Sequence, residues 1–515
     1  MAPAPPASGA AAAAKPAIDS EVIFEEASKL HSSGTDLPRA EELYRAVLAA
    51  NPRHADALHQ LGALLTQRHG KKKFEEAQRL VSAAVQLQPR SAKFRNSLGV
   101  VYQEAGRWVE AADAFERANE KDPMNVATLM NLARALKELG RQQRAAEVYG
   151  SVAKLQPDHP SAHYRRGAIL RSLRRNEEAL AAFRQHLRIA PDHQASRFWI
   201  AAITGDAEAM AAAPPDMVAG LFDQYADHFD DHLVNKLQYK TPEALRDQLL
   251  AAHADLAAAR AASGAGCSSS SSNSSSGGKP AWRRCVDLGC GTGLMGPLLL
   301  PYMARGAAGL EGVDLSAGMV KEAERRGCYG RLEVGELVGF LEAEAAALKT
   351  GTGETDAPAN AARGSGDGGV GGDRQSVDRS VPYDLLVAAD VFVYIGNLAP
   401  VLRAAAAAAS QGAVLAFSTE ALELAPCGKT NRSTLVAAGE AEAGKEAAGL
   451  SEAKEGQGEK QGLRLQVTGR YAHTKEYLRR VGGEAGWRLV SISQSIIRFN
   501  GGEPIWGHLC VMERV

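Results

Sequence analysis

Apolar and polar positions along this 515-residue chain follow two different rhythms. From about residue 20 to 205, small and apolar residues recur at helical spacing in paired segments, each pair closed by a proline. Pro89, Pro123, Pro157 and Pro191 fall at intervals of 34. A period of that length predicts helical hairpins that stack and bury one another. Beyond residue 280, short apolar runs take over: strands ending at Leu288 and Asp314, RLEV at 331–334, YDLLVAAD at 383–390 and AVLAFS at 413–418, with helical segments between them. Strand and helix in alternation predict a parallel sheet. The tail reads WRLVSISQSIIRF and WGHLCVMERV joined by NGGEP, which predicts a terminal hairpin.

Among the repeats, the clearest unit is 92–125, with Leu98, Gly99, Tyr102, Ala111, Phe115, Ala118 and Pro123. These stand where tetratricopeptide repeats keep their packing residues, and the region resembles that family. Flanking units keep part of the pattern: Leu132, Ala133, Ala145 and Tyr149, then Gly167, Leu170, Ala179 and Phe183. Two units precede them, closed by Pro52 and Pro89, the second lengthened in the basic turn RHGKKKF. Lys71, Lys72 and Lys73 there read as a solvated turn. The segment QASRFWIAAI at 194–203 is expected to cap the solenoid, with Phe198 and Trp199 over the last hairpin. The resemblance implies a concave face that takes a protein or peptide. Gln60, Ser97, Asn131 and Arg165, at the sixth position of four units, form a polar column that either bonds such a partner or is simply solvated.

Composition narrows the classes. Lys plus Arg is 59 against 60 Asp plus Glu, so no global field draws the chain to nucleic acid or to an anionic membrane. No apolar run approaches a membrane span. The six cysteines, at 267, 285, 290, 328, 427 and 510, include no CxxC pair and no metal-ligand spacing, and read as reduced thiols with no metal. Residues 1–19, rich in Ala and Pro, are expected to be a disordered leader, so a cytoplasmic protein is expected while import into an organelle stays open. Low-complexity stretches at about 262–279, 350–380 and 436–462 bury too little to order themselves and are expected as loop inserts.

The most informative stretch is RCVDLGCGTG, from Arg284 to Gly293. A strand gives way to glycines at alternate positions, which admit left-handed backbone angles and close approach of a ligand. LMGPLLL then predicts a helix whose positive end faces the loop. Gly291, Gly293 and Gly296 match the dinucleotide pattern GxGxxG. Asp287, Gly289, Gly291 and Gly293 match DxGxGxG, and with it the chain resembles motif I of the class I S-adenosylmethionine-dependent methyltransferases. Asp287 favours the second pattern: a carboxylate there repels a pyrophosphate and attracts the ammonium and sulfonium of S-adenosylmethionine. Asp314, twenty-one residues after Gly293, ends the next strand and suits both ribose hydroxyls. Its other reading is an acid beside the N-cap Ser316 of a helix at 317–326.

Ahead of the sheet, FDQYADHFD resembles the FDxYAxxFD lead-in of a group of tetratricopeptide-containing methyltransferases, through Phe222, Asp223, Tyr225, Phe229 and Asp230. Tyr225 is expected to lay its ring on the sulfonium, and Phe222 and Phe229 to pack in the core. Asp390 closes strand four, in the crevice where open α/β sheets bind ligands. Together these resemblances imply a chain in three parts: a leader at 1–19, an all-α tetratricopeptide solenoid at 20–205, and an α/β Rossmann-like class I methyltransferase domain at 206–515. They imply S-adenosyl-L-methionine as cofactor, held by Asp287, Gly289, Cys290, Gly291, Gly293, Asp314, Leu315, Glu336 and Tyr225. Candidate catalytic residues are Asp390, Tyr394 and His473, the last as a general base. Arg470 and Tyr471 are the substrate candidates. Methyl transfer to an acceptor the sequence does not identify is the leading reading, with a partner or substrate recruited by the repeats. A non-catalytic scaffold with a cofactor-binding domain, and an NAD(P)-binding oxidoreductase, stay open as alternatives.

Overall fold

Each proline-closed unit becomes one antiparallel helix pair in the computed structural model, which describes residues 20–206, 210–223, 226, 229–230, 239–262, 280–305, 309–350, 377–422, 462–500 and 502–515. The chain divides into two compact units, Met1–Asp192 and His193–Val515.

In the first unit, α1 (Ser20–Ser33) pairs with α2 (Leu37–Ala50), α3 (Ala55–His69) with α4 (Phe74–Leu87), α5 (Ala92–Glu104) with α6 (Trp108–Lys121), α7 (Val126–Glu138) with α8 (Gln142–Leu155), and α9 (Ala162–Ser172) with α10 (Asn176–Ile189). Small residues meet large ones where the helices cross. A Cβ on Gly99 would sit 2.5 Å from the Phe115 ring, so nothing larger fits there. Side-chain caps start the inner helices: Ser91 accepts from the Phe94 N–H at 3.3 Å and Asn125 from the Thr128 N–H at 3.0 Å. Lys71, Lys72 and Lys73 lie in a 3-10 turn, Gly70–Lys73. The polar column is partly engaged within the repeats. Ser97 Oγ lies 2.7 Å from His59 Nε2, and Asn131 donates to Asn96 Oδ1 at 3.3 Å.

The second unit opens with α11 (Gln194–Thr204), and here the structure corrects an expectation. Phe198, expected over the last hairpin of the repeats, is fully buried in the core of the second unit with Ala201, Ala202 and Tyr471. The glycine at 469 makes room for Trp199, since a Cβ there would lie 2.6 Å from the indole. After α12 (Pro215–Asp223) and α13 (Thr241–Ala262), β1 (Arg284–Leu288), β2 (Gly309–Asp314), β3 (Arg331–Val334), β4 (Tyr383–Ala388) and β5 (Ala409–Ala421) form parallel ladders in the order β3-β2-β1-β4-β5. β9 (Glu503–Arg514) adds antiparallel to β5, and β8 (Trp487–Asn500) to β9. The terminal hairpin is thus the one the alternation predicts.

Both faces of this sheet are covered. Leu386, Leu415, Phe417 and Met512 face one core with Leu341, Leu402 and Leu478. Leu385, Val387, Val414, Ala416 and Val511 face another with Leu245, Leu249 and Leu256 of α13. That is why these strands read as continuous apolar runs. Further helices connect the strands: α15 (Ala317–Arg326), α16 (Leu337–Thr350), α17 (Ala399–Ala408) and α18 (Lys475–Glu484). The expected helix after the glycine loop shrinks to one turn, α14 (Gly296–Leu299), followed by a 3-10 turn through Tyr302. Pro297 stands in the first turn of α14 and Pro301 in that of the 3-10 turn, positions where a missing N–H costs no helical bond, so each proline starts a turn and does not extend one. A small hairpin, β6 (Leu463–Leu465) with β7 (Tyr471–His473), lies where the sequence pattern shows no strand, and β7 joins the far end of β5. No described helix is long and apolar enough to cross a membrane. The expected leader and most of each expected insert lie outside the described residues.

Candidate functional site

The carboxyl ends of β1 to β4 surround a cavity of about 380 Å³ in the second unit. Asp287 in β1, Gly289, Cys290 and Gly291 in the loop that follows, Asp314 at the end of β2 with Leu315 next to it, Glu336 after β3 and Asp390 after β4 all line it. Two glycines shape its floor. Gly289 has φ +71°, and a Cβ there would meet Val391 Cγ2 at 2.4 Å; Gly291 has φ +54° and open space where its Cβ would be. Gly293 is not part of the lining, since Tyr329, Ala323 and Arg326 pack beside it.

Asp314 joins the two loops. Its Oδ2 accepts from the Gly291 N–H and its Oδ1 from the Ser316 N–H, both at 2.9 Å. Burial raises its pKa while those two bonds oppose the shift. Ser316 does cap α15, accepting from the Met319 N–H at 3.1 Å, so both readings of Asp314 describe one turn. Asp287 is fully buried and accepts from the Tyr329 hydroxyl at 2.6 Å. Burial pushes its carboxyl up to about 7, with the Tyr329 bond opposing and Asp314 adding to the rise. The Cys290 thiol is pushed up by burial and stays protonated.

After β4, Asp390 has φ +60°, one of two non-glycine residues with positive φ among the described residues. Such strain persists where the surroundings impose it. Its N–H donates to Ser418 Oγ at 2.7 Å, and both its carboxylate oxygens accept from Arg498 Nη1, at 2.7 and 3.0 Å. Arg498 also pairs with Glu420. Arg470 donates to the Tyr394 hydroxyl at 3.3 Å and lies 5.7 Å from the centre of its ring. Arg470, Tyr394 and Arg498 line the cavity.

Two candidates fall outside this lining. His473 is fully buried in β7 and is not among the cavity residues. Its Nε2 faces the Gly396 carbonyl at 3.1 Å, so that nitrogen carries the proton, and Nδ1 accepts from the Thr419 hydroxyl at 2.6 Å. Burial lowers its pKa to about 4. With both nitrogens engaged, it cannot serve as the general base expected of it. Tyr471, expected to meet substrate, is buried too and donates to the Met210 carbonyl at 2.7 Å. Tyr225 lies outside the described residues. Phe222 and Phe229, expected only to pack, line the cavity as well. Arg498 was missed: it reads as one polar point in the strand WRLVSISQSIIRF, and its only signal is a charge where the alternation calls for a buried side chain.

Residues 237–492 match the family description of a methyltransferase domain, and residues 68–125 and 130–193 that of the tetratricopeptide repeat. The chain joins tetratricopeptide repeats to a methyltransferase domain. Comparison with curated proteins finds no match. Among solved structures, MamA is similar at 22% identity and TM-score 0.30, over 32% of this chain and 94% of MamA. YrrB, described as a TPR protein with an unusual peptide-binding site, is similar at 23% identity and TM-score 0.30, over 34% of this chain and 88% of its own. In the methyltransferase domain the cavity lining brings together the carboxylates of Asp287, Asp314, Glu336 and Asp390 and the guanidiniums of Arg470 and Arg498, the last paired with Asp390.

Proposed function

We propose that the methyltransferase domain binds S-adenosylmethionine in this cavity and passes its methyl group to an acceptor that enters on the Asp390 side. The observation that carries the reading is Asp314, which lines the cavity with its carboxylate fixed by the Gly291 and Ser316 N–H groups, an acceptor set in place for the ribose hydroxyls. The residues fit the cofactor. Open space over Gly291 leaves room for a ligand against the loop, and three acids face a ligand that carries an ammonium and a sulfonium. A pyrophosphate would meet the same acids as like charges, which disfavours NAD(P).

When bound, S-adenosylmethionine supplies an electrophilic methyl carbon on sulfur. The chain's residues position what approaches it. Asp314 holds the ribose, Glu336 the adenine amino group, and ionised Asp287 attracts the cationic end, while Gly289, Cys290 and Leu315 form the wall. Asp390, kept in place by Arg498 and Ser418, accepts an N–H or O–H from the acceptor and orients its lone pair for in-line attack. Tyr394 and Arg470 contribute a hydroxyl and a guanidinium beside it. The repeats recruit the protein that is, or carries, the acceptor.

A second reading, a cofactor-binding scaffold without turnover, draws on the engagement of His473, which leaves the acceptor side without that imidazole as a base. Calorimetric titration of the full chain with S-adenosylmethionine, S-adenosylhomocysteine and NAD tests the cofactor directly. Binding of the first two and not of NAD is expected. Binding of NAD alone would overturn the reading.

A further inference from the structure

Asp223 and Asp230 of FDQYADHFD have no part in the reaction as proposed, yet both reach loops of the cavity. Asp223, the last residue of α12, accepts through Oδ1 from the Ser316 hydroxyl and from the Gly318 N–H, the latter at 3.1 Å. The Ser316 N–H in turn donates to Asp314 Oδ1. One turn therefore links Asp223 to the acid assigned to the ribose. Asp230 accepts from the Thr292 hydroxyl and pairs with Arg326, whose Nε donates to the Thr292 carbonyl. Thr292 lies in the glycine loop, between Gly291 and Gly293.

Close packing accompanies these bonds. A Cβ on Gly318 would sit 3.0 Å from Ala226 Cβ and 3.2 Å from Asp223 Oδ1, so this approach depends on glycine. Phe222 and Phe229, each beside one of the aspartates, meet edge to face at 5.7 Å and line the cavity. Upstream, the Ala211 carbonyl accepts from the Gly396 and Asn397 N–H groups at 2.9 and 3.0 Å, and the Ala213 N–H donates to the Tyr394 carbonyl at 2.9 Å. The lead-in is thus tied at one end to the loop after β4 and at the other to the loops after β1 and β2. Both aspartates precede residue 237, where the match to the methyltransferase domain begins.

We propose that Asp223 and Asp230 are positioning residues of the cofactor site: they clamp the lead-in against the cavity and hold the Asp314 turn and the glycine loop in ligand-binding geometry. The proposal rests on the S-adenosylmethionine reading. Burial contributes little to Asp223, and its bonds to Ser316 and Gly318 hold its carboxyl below the usual range, as expected of an acid that acts as an acceptor.

The test titrates S-adenosylhomocysteine into the full chain and into Asp223→Ala, Asp223→Asn, Asp230→Ala and the exposed control Asp216→Ala. Each alanine change at 223 or 230 should weaken binding about tenfold, the scale of losing a bond to a charged acceptor. Asp223→Asn keeps an oxygen that accepts from both donors, and should stay within about threefold of the parent, as should the control. Parent-like affinity in both alanine variants would overturn the proposal. So would an Asn variant as weak as the Ala one, which would make the site sensitive to packing and not to hydrogen-bond acceptance. If Asp223→Ala does not fold, Asp230→Ala against Asp223→Asn decides between the same outcomes. Failure of the parent chain to bind would instead overturn the cofactor reading, and the clamp with it.

Discussion

Asp287 and Asp314 are acids at strand ends, the first fully buried and the second partly, but only Asp314 is held by backbone N–H groups. Asp287 has a single phenol, and burial leaves its carboxyl at about 7. The folded chain therefore keeps a proton that an unfolded chain releases near 3.8, the ordinary value for an aspartate. This group's contribution to stability is complete below about pH 4 and is lost as the pH rises through about 7. A cationic ligand favours the ionised form, so binding has the opposite dependence. The dissociation constant for S-adenosylmethionine should fall about tenfold from about pH 6 to about pH 8, and Asp287→Asn should remove the change. A flat profile in the parent, measured by calorimetry, would count against the assignment. Asp287, Asp314 and Asp390 could be read from the sequence because each ends an apolar run. His473 could not. GRYAHTKEYL looks polar and accessible, and only the pairing of β7 with β5 and β6 reveals that the ring is enclosed. Arg498 was hidden for the converse reason: its burial depends on Asp390 and Glu420, distant residues that no local pattern connects to it.

At the scale of elements, periodicity specified most strands closely. β3 spans the expected RLEV, and β8 and β9 the expected hairpin. It failed where the neighbour decides the outcome. The amphipathic pattern of α11 suits a repeat or a sheet equally well, and Phe198 packs beside Tyr471. Composition predicted an insert at about 436–462, and the described residues around it lie close together. The Leu422 N–H donates to the His473 carbonyl at 3.1 Å, and the Thr474 N–H to the Gly462 carbonyl at 2.8 Å. Leu422 and Gly462, on either side of the Glu/Ala/Gly/Lys-rich stretch, are therefore held on adjacent residues. Replacing that stretch with a short Gly-Ser turn should leave S-adenosylhomocysteine affinity unchanged. Each doubling of loop length costs about 0.6 kcal/mol, so stability to urea should rise by roughly 2 kcal/mol. Loss of folding or of binding would show that the insert contributes to the domain.

Over the whole molecule, the division into helical repeats and an α/β domain was readable because their periods differ, 34 in one and strand-helix alternation in the other. Chemistry concentrates in the second unit: every cavity residue lies beyond position 210. The acceptor leaves no comparable mark, since one aspartate, one phenol and two guanidiniums suit more than one nucleophile. Methyl transfer is the central claim, and labelled S-adenosylmethionine tests it most directly. The full chain and Asp314→Ala are each incubated with the methyl-labelled cofactor, held below saturation, and a cell extract, which is then fractionated by size. The parent chain should move label into a discrete fraction, and Asp314→Ala should do so at least about tenfold more slowly, the cost of two hydrogen bonds to a charged acceptor. A parent chain that binds the cofactor yet moves no label, or an Asp314→Ala variant that moves it at the parent rate, would contradict the account.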